Sequence, residues 1–142
     1  AFGAWYVLRL AGIYGPGRHY LLDLLRSGAS VIPGVRDTLL NLIHRDVVVA
    51  AICTALAHPQ SATSGIYSVA DNQPATKAEL VAWLAEQLGQ SPPSFDPEHV
   101  SPRLQRRGGR MPSRRISNAK LSETFGWKPK YQDFRAGYKR LL

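Results

Sequence analysis

The chain has 142 residues, of which 44% are hydrophobic, and a formal net charge of +8 at pH 7. This length suits one compact unit with a single sizeable core, and no apolar run reaches the ~20 residues of a membrane helix. The charge is uneven, because residues 103–142 hold 12 Lys and Arg but only two Asp and Glu. Such a basic region can bind nucleic acid, face an anionic small ligand or form a solvated surface, and composition alone does not distinguish these three roles.

The first predicted elements are a strand, a glycine turn and a helix. Residues 5–11 combine aromatic and branched side chains in a short run, which favours a strand. Glycine and proline dominate residues 12–17 and predict a turn. Residues 18–27 show apolar side chains at helical spacing, and Gly28 predicts the end of that helix.

The middle of the chain predicts two short strands, at residues 31–34 and 38–43, followed by a helix. Asp46 is the expected N-cap of an apolar and largely buried helix over residues 47–58. Cys53 lies in this run and is expected to be a buried structural thiol. As the only cysteine it excludes an intrachain disulfide, which fits a reducing cytoplasm.

The next elements are a strand over residues 65–70 and a helix over residues 76–88. Thr76 and Glu79 have the T-x-x-E spacing of a capping box, in which each side chain accepts from the other residue's backbone amide. An apolar stripe follows, and Gly89 predicts the end of the helix.

The last third begins with an irregular loop over residues 91–112, which is rich in Pro, Arg and Gly. A short helix over residues 118–125 and an extended segment over 127–131 follow. Asp133 is expected to cap a final helix that runs through residue 141. Strands and helices alternate along the chain, and this alternation predicts the α/β class.

Four segments in chain order resemble motifs of the extended and atypical short-chain dehydrogenase/reductases, the NAD-dependent epimerase/dehydratase family. The segments are LRLAGIYGPGR (8–18), LIHRDVVVAAI (42–52), SGIYSVADNQPATKAEL (64–80) and RRISNAKLSETFGWKPKYQDFRAGY (114–138). The chain begins at Ala1, without Met, and the resemblance implies that it is the C-terminal half of such a protein.

The resemblance implies an incomplete domain: the C-terminal part of a doubly wound, Rossmann-like fold with a small α/β substrate-binding lobe. Residues 1–142 would form a single unit. Within it, residues 1–15 and 41–74 would belong to the cofactor-binding sheet, and residues 16–40 and 75–142 to the substrate lobe.

Candidate site residues follow from the same resemblance. Gly12, Ile13 and Tyr14 would lie beside the nicotinamide of NAD or NADP, which the N-terminal half would mainly bind. The candidate substrate contacts are Arg18, His44, Arg107 and Arg114. His44 has a second interpretation, a structural histidine hydrogen-bonded near the start of a helix. The four histidines lack metal-ligand spacing, so no metal site is expected.

Several family features are absent from the sequence. There is no glycine-rich dinucleotide fingerprint and no Tyr-x-x-x-Lys catalytic pair, so the chain is catalytically incomplete as given. Gly12 stands where sugar-nucleotide enzymes have Asn, and Val47 replaces the second Asp of the family's Asp-Asp pair. These departures argue against a diphosphate-sugar and leave a polar or anionic small molecule as the expected substrate.

The expected function is therefore the substrate-binding, C-terminal portion of an NAD(P)-dependent oxidoreductase or epimerase/dehydratase. Two alternatives stay open: a basic nucleic-acid-binding module, and a non-catalytic scaffold derived from the same fold. The expected partners are a small-molecule substrate, the N-terminal half of the protein and a second copy in a homodimer. Nucleic acid and membrane are not expected partners.

Overall fold

The computed structural model of the protein describes residues 3–58, 64–100, 105–106, 108 and 113–142. Their strands are β1 (Tyr6–Leu10), β2 (Gly12–Tyr14), β3 (Val31–Pro33), β4 (Leu39–Leu40), β5 (Leu42–His44), β6 (Gly65–Val69), β7 (Ala75–Thr76) and β8 (Ser94–Asp96). Their helices are α1 (Tyr20–Arg26), α2 (Arg45–Ala57), α3 (Lys77–Gln87), α4 (Ala119–Phe125) and α5 (Phe134–Tyr138). The predicted α/β class is confirmed. Within these residues, every helix is too short or too polar to cross a membrane.

Contacts between Cα atoms divide the chain into two units. Unit 1 consists of Ala1–Arg18, Asn41–Pro74 and Arg115–Leu141. Unit 2 consists of His19–Leu40 and Ala75–Arg114, together with Leu142.

The grouping of residues 115–141 differs from the sequence-based division, which placed all of residues 75–142 in the substrate lobe. The structure instead packs α4 and the segment after it in unit 1, because Leu121, Phe125 and Trp127 are buried in the same core as Tyr67. An apolar stripe predicts that a short helix is buried, but it does not identify the core that buries it.

Unit 1 contains two pairs of parallel strands. β1 pairs with β6, from Tyr6 opposite Gly65 to Leu10 opposite Val69. β2 pairs with β5, so that both strands end together at Tyr14 and His44. Because these strands are parallel, their carboxyl ends lie at the same edge of each pair.

Two sequence predictions for α2 are wrong. The N-cap is His44 and not Asp46, because β5 runs extended up to His44 and the His44 side chain accepts from the Asp46 backbone N–H. Cys53 is exposed and not buried. Only one face of α2 packs in the core, and that face uses the residues Val47, Val48, Ala51 and Ala55.

Asp133 caps α5 as predicted, because its side chain accepts from the Ala136 backbone N–H at 2.9 Å. The helix is shorter than expected and ends at Tyr138. Gly126 ends α4 in the left-handed conformation, with φ of 66°. This angle explains why glycine stands there.

Unit 2 is built on α1 and α3, which contact each other and bury Leu22, Leu25, Leu80 and Leu84. The predicted capping box of α3 is confirmed: the Thr76 backbone N–H donates to Glu79 Oε2 at 2.6 Å, and the Glu79 backbone N–H donates to Thr76 Oγ1 at 3.1 Å.

Unit 2 also contains a strand that the sequence prediction missed. β8 lies inside the predicted irregular loop over residues 91–112, and it pairs in parallel with β3 from Val31 opposite Ser94 to Pro33 opposite Asp96. β4 pairs with β7 in the antiparallel direction.

Candidate functional site

The candidate site of unit 1 begins at the carboxyl ends of β2 and β5, where open α/β sheets bind their ligands. Tyr14 and His44 are opposite each other at these ends. β2 leads into a turn in which Gly15 and Arg18 exchange two backbone hydrogen bonds of 3.1 and 2.9 Å. We call residues 15–18 the glycine turn.

Two arginines hold the glycine turn. Arg18 Nε donates to the Ile13 carbonyl oxygen at 3.2 Å, and Arg45 Nη1 donates to the Pro16 carbonyl oxygen at 3.3 Å. A Cβ atom at Gly15 would lie 3.0 Å from the Arg45 Cβ, and Gly15 has φ of 151°. A side chain at position 15 would therefore be crowded by Arg45 and strained by the backbone conformation. Sequence reasoning identified Arg18 but missed Arg45, because no ligand-binding pattern in the sequence marks position 45.

His44 is buried and serves as the cap of α2. Its Nδ1 accepts from the Asp46 backbone N–H at 3.2 Å, so the neutral ring carries its proton on Nε2. Nε2 is buried and has no hydrogen-bond partner among the described residues. It faces the glycine turn, because a Cβ atom at Gly15 would lie 3.6 Å from it. Burial lowers the pKa of His44 and favours the neutral form. The structural interpretation of His44 is confirmed, and its contact with substrate stays a prediction.

An aromatic cluster surrounds His44. Tyr14 stacks on Tyr138 with ring centroids 4.5 Å apart and meets the His44 ring edge-on at 5.3 Å. Tyr131 contacts the same imidazole at 4.6 Å. All four rings are buried. Burial strongly raises the pKa of the Tyr14 hydroxyl, so this hydroxyl keeps its proton at neutral pH.

Gly137 makes room for this cluster. A Cβ atom at position 137 would collide with the Tyr14 hydroxyl and would lie 2.7 Å from Tyr14 Cζ. The glycine of the fourth motif segment thus fits against the tyrosine of the first segment. This contact joins the first and fourth motif segments within unit 1.

Asp71 is a buried carboxylic acid that sequence reasoning did not single out. It follows the end of β6 and is only 4% exposed. Oδ1 accepts from the Gln73 backbone N–H at 3.0 Å, whereas the buried Oδ2 has no partner among the described residues. Burial raises the pKa of Asp71 to about 6, and the nearby Asp133 acts in the same direction. A polar residue directly after an apolar strand was the available sequence signal.

Asn118 joins the third and fourth motif segments. Its Nδ2 donates to the Ala70 carbonyl oxygen at 2.7 Å, and its backbone N–H donates to Asn72 Oδ1 at 2.9 Å. Asn72 has φ of 70°, a conformation that asparagine tolerates better than most residues. The loop after β6 is therefore fixed to the start of α4.

The three residues predicted to lie beside a nicotinamide differ in exposure. Gly12 is exposed, Ile13 is partly buried and Tyr14 is buried. The Gly12 backbone N–H donates to the Asn41 carbonyl oxygen at 2.9 Å. A Cβ atom at Gly12 would lie 3.0 Å from that same oxygen, so the close approach of the two backbone segments already favours glycine.

The predicted substrate contacts are only partly brought together. Arg18 and His44 lie in unit 1, where Arg18 is exposed beside the glycine turn. Arg114 is exposed and belongs to unit 2. Arg107 lies outside the described residues. No group of three His, Cys, Asp or Glu side chains that could hold a metal ion occurs in the described part of the chain.

No protein-family model matches the chain. A curated relative is the 3-diazoavenalumate denitrifying reductase of a Streptomyces species, which is 32% identical over 144 residues. The match covers 94% of this chain and 46% of that protein.

Solved structures have the same fold. A conserved protein of unknown function from Silicibacter pomeroyi has a TM-score of 0.80 at 27% identity, covering 96% of this chain and 48% of its own. A predicted NAD-dependent epimerase/dehydratase from Methylobacillus flagellatus has a TM-score of 0.72 at 29% identity. The match covers 96% of this chain and 46% of that protein. The dTDP-glucose 4,6-dehydratase of Bacillus anthracis, solved with NAD, has a TM-score of 0.72 at 20% identity. The match covers 93% of this chain and 41% of that protein.

The chain spans about half the length of the proteins that it matches. The predicted Rossmann-like fold, as an incomplete domain, is confirmed by these structures.

Proposed function

We propose that the chain belongs to the NAD-dependent epimerase/dehydratase family and forms the C-terminal, substrate-binding portion of an NAD(P)-dependent reductase. One observation carries the proposal: the 32% identity to a reductase extends over 94% of this chain and 46% of that protein. The order of the four motif segments supports the placement in the C-terminal half. Epimerase or dehydratase chemistry on the same cofactor is the alternative within the family.

The cofactor in this proposal is NAD or NADP, which would supply or accept a hydride at its nicotinamide ring. The end of β2 fits such a neighbour, because Gly12 is exposed there and carries no side chain. Gly12 and the main chain of Ile13 would border the ring. Arg18, Arg114 and Arg107 would supply guanidinium groups for a polar or anionic substrate.

The remaining chemistry would come from an N-terminal half of the same protein. That half would contribute the glycine-rich dinucleotide turn and the Tyr-Lys pair that transfers a proton to or from the substrate oxygen. A second copy of the protein is a further proposed partner. A reducing compartment such as the cytoplasm suits the single thiol, Cys53.

Two cations of the basic C-terminal region make contacts within unit 1 and are also exposed to solvent, so the charge of this region does not by itself favour the alternative nucleic-acid function. Lys120 Nζ donates to the Ile66 carbonyl oxygen at 3.1 Å and lies over the Tyr67 ring. Arg135 lies over the Phe134 ring and pairs with Asp133 at 3.8 Å.

Cofactor binding by the complete gene product that contains this chain tests the proposal. Isothermal titration with NADH and with NADPH should give saturable binding of at least one of them. A parallel titration with single-stranded RNA at two salt concentrations serves as the control for the alternative function. Salt-sensitive RNA binding without nicotinamide binding would reject the reductase in favour of the basic module.

A further inference from the structure

Unit 2 contains an open cleft of about 460 Å³ between α3 and β8. We call it the α3–β8 cleft. It is lined by Arg36, Val81, Ala82, Pro93, Ser94 and Phe95, among others. Its volume lies within the range of small-molecule sites, which is about 300–1,000 Å³.

Backbone hydrogen bonds fix the walls of this cleft. The Ala78 N–H in the first turn of α3 donates to the Arg36 carbonyl oxygen at 2.9 Å, and the Lys77 N–H donates to the Thr38 carbonyl oxygen at 2.9 Å. On the opposite side, the parallel pairing of β8 with β3 holds Phe95 opposite Ile32. A ligand would therefore meet a shape that is already formed, which lowers the entropic cost of binding.

The lining is apolar apart from two side chains. Val81 is buried, and Pro93 and Phe95 are partly exposed. The Phe95 ring offers a flat face, which suits an aromatic or conjugated body, and Pro93 and Val81 add apolar surface. Of the two polar side chains, Ser94 already donates its hydroxyl to the Ser30 carbonyl oxygen at 3.3 Å.

Arg36 is the cation of the cleft. Its side chain is 67% exposed, and among the described residues its ion pair is with the neighbouring Asp37, at 3.6 Å from Nε. An exposed pair of this kind contributes little to stability, because water screens its charges. The guanidinium group can therefore pair with a further carboxylate, to which it donates two parallel hydrogen bonds in the most favourable geometry.

We propose that the α3–β8 cleft binds an organic anion with a flat apolar body, of the aromatic carboxylate class. The body packs against Val81, Pro93 and Phe95, and the carboxylate pairs with Arg36. Unit 2 contains most of the predicted substrate lobe. If the bound anion is the substrate, this inference names its chemical class, and in that respect it rests on the proposed function.

A matched pair of probes tests this proposal: cinnamate, which carries the charge, and cinnamamide, its neutral isostere. The complete protein, with 13C-labelled alanine methyl groups, is titrated with each. Cinnamate should produce saturable shifts of the Ala78 and Ala82 methyls and leave that of Ala50, in α2 of unit 1, unchanged. Cinnamamide should bind at least tenfold more weakly, because it lacks the charge-assisted pair.

Two variants locate the contacts. Arg36→Gln should weaken cinnamate binding at least tenfold and leave cinnamamide unchanged, whereas Arg9→Gln removes a cation of β1 in unit 1, which does not line the cleft, and should change neither. Ala82→Trp should abolish binding of both probes by filling the cleft. The proposal is overturned if Ala78 and Ala82 do not respond to cinnamate, if both probes bind equally, or if Arg36→Gln has no effect.

Titration of the same samples with NADH and with NADPH separates the two proposals. Nicotinamide binding without any response of the cleft to cinnamate rejects the cleft and leaves the reductase standing. Cinnamate binding in the cleft without nicotinamide binding supports the cleft and rejects the reductase.

Discussion

The polar groups of the candidate site in unit 1 and of the cleft in unit 2 differ in exposure. In unit 1, His44 and Asp71 are 3% and 4% exposed, and each keeps one buried polar atom without a partner among the described residues. In unit 2, Arg36 is exposed at the mouth of the α3–β8 cleft. Most residues that carry the family resemblance lie in the closed packing of unit 1. Most residues that line the cleft lie outside those motif segments, so the resemblance identifies the fold better than it identifies the ligand.

The closed packing of unit 1 is most sensitive to Gly137→Ala. The new Cβ would collide with the Tyr14 hydroxyl, and we expect the free energy of unfolding to fall by about 3 kcal/mol, since overpacking a core costs ~1–3 kcal/mol. Alanine is the better helix former, so propensity alone predicts the opposite sign. Denaturant unfolding measures the change.

Gly3→Ala is the matched control, because no atom lies within 4 Å of a Cβ at that position. It should leave stability unchanged. An increase in the stability of Gly137→Ala would show that Tyr14 does not occupy the space above Gly137.

Asp71→Asn tests the buried acid of unit 1. The folded pKa of Asp71, about 6, lies above its value of 3.8 in the unfolded chain, so the native state binds the proton more tightly. Its contribution to stability therefore falls as the pH rises from about 4 to about 6. Above pH 7 the variant should be more stable than the parent by about 2 kcal/mol, because it removes a buried charge.

The difference between variant and parent should shrink towards pH 4, where Asp71 is protonated in the folded protein. Thermal unfolding from pH 4 to pH 8 measures this dependence. Asp37→Asn removes an exposed negative charge and serves as the control. A stability difference that does not change with pH would contradict the assignment of the raised pKa to Asp71.

Thr76→Ala should have the smallest effect, and it acts on unit 2. Loss of the capping hydroxyl costs about 1 kcal/mol, because the Glu79 N–H loses its partner at the start of α3. Hydrogen exchange of the α3 amides should increase. Thr54→Ala in α2 is the control, since its hydroxyl bonds to the Ala50 carbonyl oxygen inside the helix. Equal effects of both substitutions would argue that the capping box adds nothing to α3.

Local signals predicted the helices of this fold well. α3 lies within the range set by its capping box and Gly89, because both act over a few residues. β8 was missed because three residues inside a proline-rich run become a strand only through pairing with β3, more than 60 residues away. The cap of α2 was misplaced by two residues, since histidine is a rarer cap than aspartate.

The candidate site could be predicted only in part, for the same reason. The glycine turn and Arg18 are adjacent in sequence, so one motif revealed both. Arg45, Asp71 and Gly137 reach the same unit from three distant segments, and only their packing shows what each contacts. The α3–β8 cleft was not predicted from the sequence, because one of its walls is β8, the strand that the sequence prediction missed.

The most direct measurement is the reading frame upstream of Ala1 in the source DNA. The proposed function predicts a further segment about as long as this chain, with a glycine-rich dinucleotide turn after its first strand and a Tyr-x-x-x-Lys pair shortly before Trp5. A start codon immediately before Ala1 would contradict it, because the chain would then lack the residues that bind the cofactor and transfer the proton.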